Sequence, residues 1–185
     1  MIYSILQLIQ ESLQDFMELQ FPQKAYEVAV DKLVTREGKS TTDAQSGRIV
    51  ITLLHAQEER TMQRSRTSDL TQPYHLNLLL LFSVHEKEQN ASGNAYLEAM
   101  KYLDMVLGYF QQTPVFSPQT HALPPNIQHL HFELFNEDLR ESSYIWTMTG
   151  AKHTTSVLYQ VRSVTVGQAL VGSQLAAHSQ QLFGT

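Results

Sequence analysis

Three residues that could ligate a metal occupy alternate positions in one short segment. They are His129, His131 and Glu133, and alternate residues of a strand project from the same face. Two imidazoles and a carboxylate can bind zinc or iron, so a His/Glu metal-dependent enzyme is one hypothesis. The simpler interpretation is that the apolar residues Leu130, Phe132 and Leu134 face the core and leave a polar outer face. No other His or acidic cluster has a spacing that completes a site, so we expect no metal and no cofactor.

A second candidate for chemistry is the stretch T-G-A-K-H-T-T-S-V-L-Y-Q-V-R at 149–162. A phosphate-binding loop needs G-x-x-x-x-G-K-[ST] between a strand and a helix. Here Lys152 lies two residues beyond Gly150, and the stretch follows a predicted helix instead of preceding one. The pattern is more typical of a helix C-cap, with Gly150 at positive φ and Lys152 near the negative end of the helix.

The third candidate is a charged segment, E-E-R-T-M-Q-R-S-R-T-S-D-L-T-Q at 58–72, between two predicted strands. Loops of this length in compact domains are uncommon and often functional, so one interpretation is an arm that contacts a partner subunit. The other interpretation is a solvated loop. The segment is a weak nucleic-acid site because acidic residues are interleaved and no aromatic platform accompanies them. The net charge of -5 also disfavours nucleic acid.

Apolar spacing predicts the elements that position these residues. Helices are expected over 2–20 and about 95–111, and a third from an N-cap at Asn136 to near Gly150. Strands are expected over 26–30, 48–57, 76–84, 127–135 and 156–166, and the proline-rich 113–125 is expected to be an extended connector. The order predicts an α/β (α+β) single domain, a mixed sheet of about five strands flanked by three helices. Trp146 is expected to pack in the core, with an interface anchor as the alternative.

Composition restricts the class of protein further. The chain has 185 residues, 42% of them hydrophobic, and no cysteine, which is typical of one globular domain in a reducing compartment. The N-terminus has no basic region typical of a signal peptide, and the longest apolar run, Leu78 to Phe82, is too short to span a bilayer. We therefore expect a soluble cytoplasmic protein, whose export would need a route that reads no N-terminal signal.

An ordered series of short motifs resembles one known family. The segments are I-T-L-L-H-A-Q-E-E-R at 51–60, Y-H-L-N-L at 74–78, P-V-F-S-P at 114–118, L-P-P at 123–125, L-H-F-E-L at 130–134, Trp146, G-A-K at 150–152 and S-V-L-Y-Q-V-R at 156–162. Together they resemble the tube-cap or tail-terminator family of extracellular contractile injection systems, which are phage-tail-like particles. The resemblance covers residues 1–166 as a capping domain. The tail, 167–185, lies outside it and receives no role.

The resemblance implies a non-enzymatic structural protein. Such a subunit would form a hexameric ring on the distal end of the inner tube and sheath, stop polymerisation and anchor the sheath. Its partners would be other copies of itself and the tube and sheath proteins, with neither nucleic acid nor membrane, and it would assemble in the cytoplasm. Another structural role in the same particle, as a baseplate or tube adaptor, is the alternative. The residues expected at interfaces are Glu58, Glu59, Arg60, Arg64, Arg66 and Lys152.

Overall fold

The computed structural model describes residues 1–21, 26–35, 37–41, 45–59, 74–86, 94–125, 127–136 and 138–166. Within these ranges the chain forms three helices and six strands. The helices are α1 (Ile2–Gln20), α2 (Ala95–Gln112) and α3 (Leu139–Thr149). The strands are β1 (Glu27–Val30), β2 (Arg48–Glu58), β3 (Tyr74–Val84), β4 (Val115–Phe116), β5 (Leu130–Leu134) and β6 (Ser156–Val166). The predicted α+β domain is confirmed, with six strands instead of about five.

The strands form one sheet in the order β1-β2-β3-β6-β5-β4. β1 is parallel to β2, and the other four pairings are antiparallel, so the sheet is mixed. The additional strand is β4, whose Val115 and Phe116 pair with β5. Its two residues lie inside the proline-rich connector, where a strand this short has no periodicity that could be detected from sequence.

Helices α1 and α2 cover one face of the sheet. α1 buries Ile5, Ile9, Leu13 and Met17, and this spacing of four residues places all of them on one side of the helix. On α2, the buried ring of Phe110 lies 4.7 Å from that of Phe132 in β5. The main core therefore forms between these two helices and the sheet.

Helix α1 also closes the outer edge of β1. The side-chain oxygen of Gln14 accepts a hydrogen bond from Val28 N at 2.7 Å, and Gln10 Nε2 donates to Val28 O at 3.0 Å. Two glutamine amides thus occupy the backbone positions that an added strand would use.

Helix α3 covers part of the opposite face through Trp146. Trp146 packs in a smaller cluster of five buried residues that also contains Leu33, Val50, Leu81 and Leu158. Its exposure of 6% confirms the predicted core position.

Of the two caps predicted for α3, the N-cap is wrong and the C-cap is correct. The helix begins at Leu139, and Asp138 Oδ1 accepts a hydrogen bond from Arg140 N at 2.9 Å. Asp138 therefore occupies the N-cap position and the predicted cap at Asn136 is wrong, because both residue types cap helices well and the spacing of apolar residues does not separate them. At the other end, the predicted C-cap is confirmed: Gly150 has φ 67, and its N–H donates to Trp146 O at 3.1 Å.

Candidate interaction surface

Beyond the Trp146 cluster, the same sheet face becomes polar. Leu158 of β6 belongs to that cluster, and alternation along the strand places Gln160 and Arg162 on its side of the sheet. In β5, His131 lies opposite Arg162 and Glu133 lies opposite Gln160. The result is a surface of amide, imidazole and charged groups on neighbouring strands.

A charged row crosses this surface and connects four strands. Arg162 Nη1 lies 3.2 Å from both carboxylate oxygens of Glu133, and Arg162 Nη2 lies 3.4 Å from Glu59 Oε2. Asn77 Nδ2 donates to the same Glu59 oxygen at 2.6 Å. We call Glu59, Asn77, Arg162 and Glu133 the charged row. Glu59 directly follows β2, and the other three residues lie in β3, β6 and β5.

The two glutamates of the charged row stabilise the protonated form of Arg162. The hydrogen bonds and charge of Glu133, followed by the charge of Glu59, raise the pKa of Arg162 above its ordinary value. The side chain of Glu59 is 16% exposed and that of Arg162 is 43% exposed. Water therefore screens the Arg162–Glu133 ion pair more strongly than the Arg162–Glu59 ion pair.

The predicted interface residues occupy different environments. Glu58 is exposed at the end of β2, whereas the neighbouring Glu59 is committed to the charged row. Arg60, Arg64 and Arg66 lie outside the described residues. The charged row is thus a contact within the chain, and sequence reasoning missed its members Asn77 and Arg162 because only strand register brings them to Glu59.

Lys152 is far from the two glutamates. It is exposed in the loop that precedes β6, whose first residue, Ser156, pairs with Ser83. Glu58 instead pairs with Leu76, seven residues earlier in β3, which corresponds to about 23 Å along the sheet. The structure therefore does not bring Lys152 and the β2 end into one site.

The possible metal ligands lie along a strand face instead of converging. The rings of His129 and His131 are 4.7 Å apart and nearly perpendicular, while both carboxylate oxygens of Glu133 contact Arg162. Among the described residues, no group of three His, Asp or Glu side chains could hold a metal ion. The assumption that Leu134 faces the core is also wrong, since Leu134 is 47% exposed at the end of β5.

One serine–histidine contact has the distance of a catalytic pair but is not accessible to a substrate. Ser83 Oγ lies 3.0 Å from His85 Nε2, yet both residues are buried and no substrate could reach the hydroxyl. Burial also lowers the pKa of His85. This pair is therefore a packing and hydrogen-bonding feature of the interior.

Comparison with known proteins identifies the family. The model of the Pvc16 N-terminal domain matches residues 3–174, and the chain belongs to that family. No curated protein matches the sequence at a significant level. None of the described helices is long and apolar enough to cross a membrane.

Two solved structures are similar to the chain. One is the PVC sheath/tube terminator of an extracellular contractile injection system in its extended state, with TM-score 0.50 and 13% identity, covering 96% of this chain and 71% of that chain. The other is the tube-terminating cap of the anti-feeding prophage, with TM-score 0.47 and 13% identity, covering 87% of this chain and 54% of that chain. This chain thus spans about half the length of that cap.

These findings confirm the family that the sequence motifs resemble. The solved structure that covers 96% of this chain is described as a sheath/tube terminator of an extracellular contractile injection system, which is the class of protein that the sequence motifs resemble. The fold is shared with a terminator at low sequence identity.

Proposed function

We propose that this protein is a structural capping subunit of a contractile injection system. Copies join in a ring on the distal end of the inner tube and sheath, where the ring ends polymerisation and anchors the sheath. The observation that carries this proposal is the family match over residues 3–174, and the fold shared with a sheath/tube terminator supports it. The particle is assembled in the cytoplasm.

A ring requires copies that meet through two different surfaces. When such a head-to-tail interface closes on itself, it gives a cyclic oligomer, and when it does not close it gives a filament. Hexameric symmetry is the form of the ring that we propose. The exposed Glu58 at the end of β2, together with Arg60, Arg64 and Arg66 after it, supplies charged groups for contact with a neighbouring subunit.

The test combines electron microscopy with native mass spectrometry. The purified protein is examined alone and after mixing with tube subunits, and we expect a closed ring of six copies that binds tube ends. In a strain that lacks the protein, tubes should vary in length and sheaths should detach. Particles of normal length and stability from that strain would refute the capping role, and labelling at the baseplate end would support the adaptor alternative.

Charge reversal tests the basic residues separately. We expect Arg64→Glu with Arg66→Glu to weaken ring formation because it inverts the charge of the segment. Lys32→Glu with Lys101→Glu, at two exposed positions, makes the same change in net charge; it is the matched control and should leave the ring intact. Equal effects of the two changes would show that net charge, not this segment, governs assembly.

A further inference from the structure

The central strands β2, β3 and β6 are longer than the outer strands β1 and β5, so one end of this three-stranded part extends beyond them. β1 pairs with β2 only as far as Ile51, and β5 pairs with β6 only as far as Arg162. The remainder of β2 and β6 stays paired with β3. We call residues 53–58, 74–79 and 163–166 the tongue. No described strand flanks the tongue on its β2 side, and none flanks residues 163–166 on its β6 side.

The β2 side of the tongue presents backbone groups outward. Glu59 N donates to His75 O at 2.8 Å, so the Glu59–His75 pair is a hydrogen-bonded pair of the antiparallel ladder. Successive residues of such a strand point their N–H and C=O alternately toward and away from the partner. The N–H groups of Ala56 and Glu58 therefore point away from β3, and residues 55–58 are all exposed.

The β6 side of the tongue also presents backbone N–H and C=O groups outward. Leu76 pairs with Val164, and His75 pairs with Thr165. Because the backbone of His75 points toward β2, the same alternation directs the N–H and C=O of Thr165 away from β3. Residues 163–166 read S-V-T-V, which is rich in β-branched strand formers and contains no lysine or proline, the residues that commonly protect an edge.

The outer edge of β1, in contrast, is protected by side chains of α1. There, Gln10 and Gln14 satisfy the outward N–H and C=O of Val28. The two edges of the tongue have no comparable side-chain closure among the described residues. They also carry little charge that would repel another strand, since Glu58 is the only charged residue in 55–58 and residues 163–166 have none.

We propose that the open β6 edge of one copy pairs with the open β2 edge of a second copy. Both strands are antiparallel to β3, so they run in the same direction and would pair as parallel strands. Glu58 and Val164 both lie opposite Leu76. A rotation about an axis along the strands therefore brings one edge to the other at the same height. The contact is head-to-tail, as a ring requires. This inference rests on the proposed ring and specifies the interface that closes it.

Cysteine cross-linking tests this pairing directly, because the native chain has no cysteine. Glu58→Cys is combined in turn with cysteine at each of residues 163–166, and the protein is oxidised in the presence of tube subunits. Within one copy, β2 and β6 are two strand spacings apart, about 10 Å, which exceeds the Cα separation of about 7 Å that a disulfide tolerates. We expect a ladder of cross-linked copies from at least one pair and none from Glu58→Cys alone.

Proline substitutions provide the second test. Ala56→Pro and Thr165→Pro each remove an outward N–H without removing a bond to β3, and we expect at least a tenfold loss of ring with the circular dichroism spectrum retained. Ala56→Ser keeps the N–H and should assemble normally.

The outcomes separate this inference from the proposed function. The edge pairing is overturned if a ring forms but none of the four cysteine pairs gives a cross-link. It is also overturned if both the Ala56→Pro and the Thr165→Pro variants still form the ring. Either result leaves the capping role intact. Dimers from Glu58→Cys alone overturn it in favour of a β2–β2 contact. The absence of any ring, with or without tube subunits, refutes both.

Discussion

Replacing Trp146 with alanine should detach α3 from the sheet. Trp146 is 6% exposed, and among the described side chains of α3 it is the only buried one. Truncation of a buried tryptophan to alanine costs about 3–5 kcal/mol. For a chain of this size each kcal/mol lowers the Tm by roughly 2–4 °C, so we expect a decrease of about 6–20 °C.

Thermal denaturation followed by circular dichroism measures this decrease, and hydrogen exchange of the α3 amides locates it. Tyr144→Ala is the matched control because Tyr144 lies on the same helix but is 67% exposed. Its effect should stay within about 0.5 kcal/mol. If Trp146→Ala lowers the Tm by no more than Tyr144→Ala does, the main role of Trp146 in packing α3 on the sheet is refuted.

Three further perturbations address the charged row, the closed edge and the buried histidine. Glu59→Gln should lower the free energy of unfolding in urea by about 1 kcal/mol, and this difference should shrink at high salt; a loss that salt does not change would contradict an ionic contribution. Gln14→Leu leaves the N–H of Val28 unpaired and should cost about 1–3 kcal/mol, whereas Gln7→Leu, on the exposed side of α1, should cost little; similar losses would argue against edge closure. Burial lowers the pKa of His85 from 6.5. The unfolded chain then binds a proton that the folded chain does not, so stability falls as pH drops below 6.5, and His85→Gln should flatten this slope. An unchanged slope would exclude His85 as its source.

The local elements could be predicted from sequence where one periodicity dominates. The spacing of Ile5, Ile9, Leu13 and Met17 predicts α1 with the bounds that the structure has. The same reasoning places β6, because a long alternating run follows a glycine that caps a helix. The mixed sheet follows from the order of these elements, although β4 does not.

The charged row could not be predicted, because its geometry depends on contacts that are distant in sequence. Glu59 and Arg162 are 103 residues apart in the chain, and they meet only because β3 pairs with both β2 and β6. From sequence, Glu59 belongs to a run of charges that resembles a solvated arm. Its contact with Asn77 requires the register of the β2–β3 ladder, including the shift near His55, and no residue pattern specifies that shift.

The position of the charged row has a consequence for assembly. Glu59 follows β2 and Arg162 lies in β6, so their ion pair spans β3 and links the two strands whose outer edges form the proposed contact. Edges that are already ordered lose less conformational freedom when they pair. If copies join through these edges, Glu59→Gln should weaken ring formation by a larger factor than its effect on the folding of one copy would produce. Titration of ring assembly by mass photometry, compared with the urea measurement on the same variant, checks this expectation. Equal losses in the two measurements would show that the charged row stabilises the fold without preparing the edges.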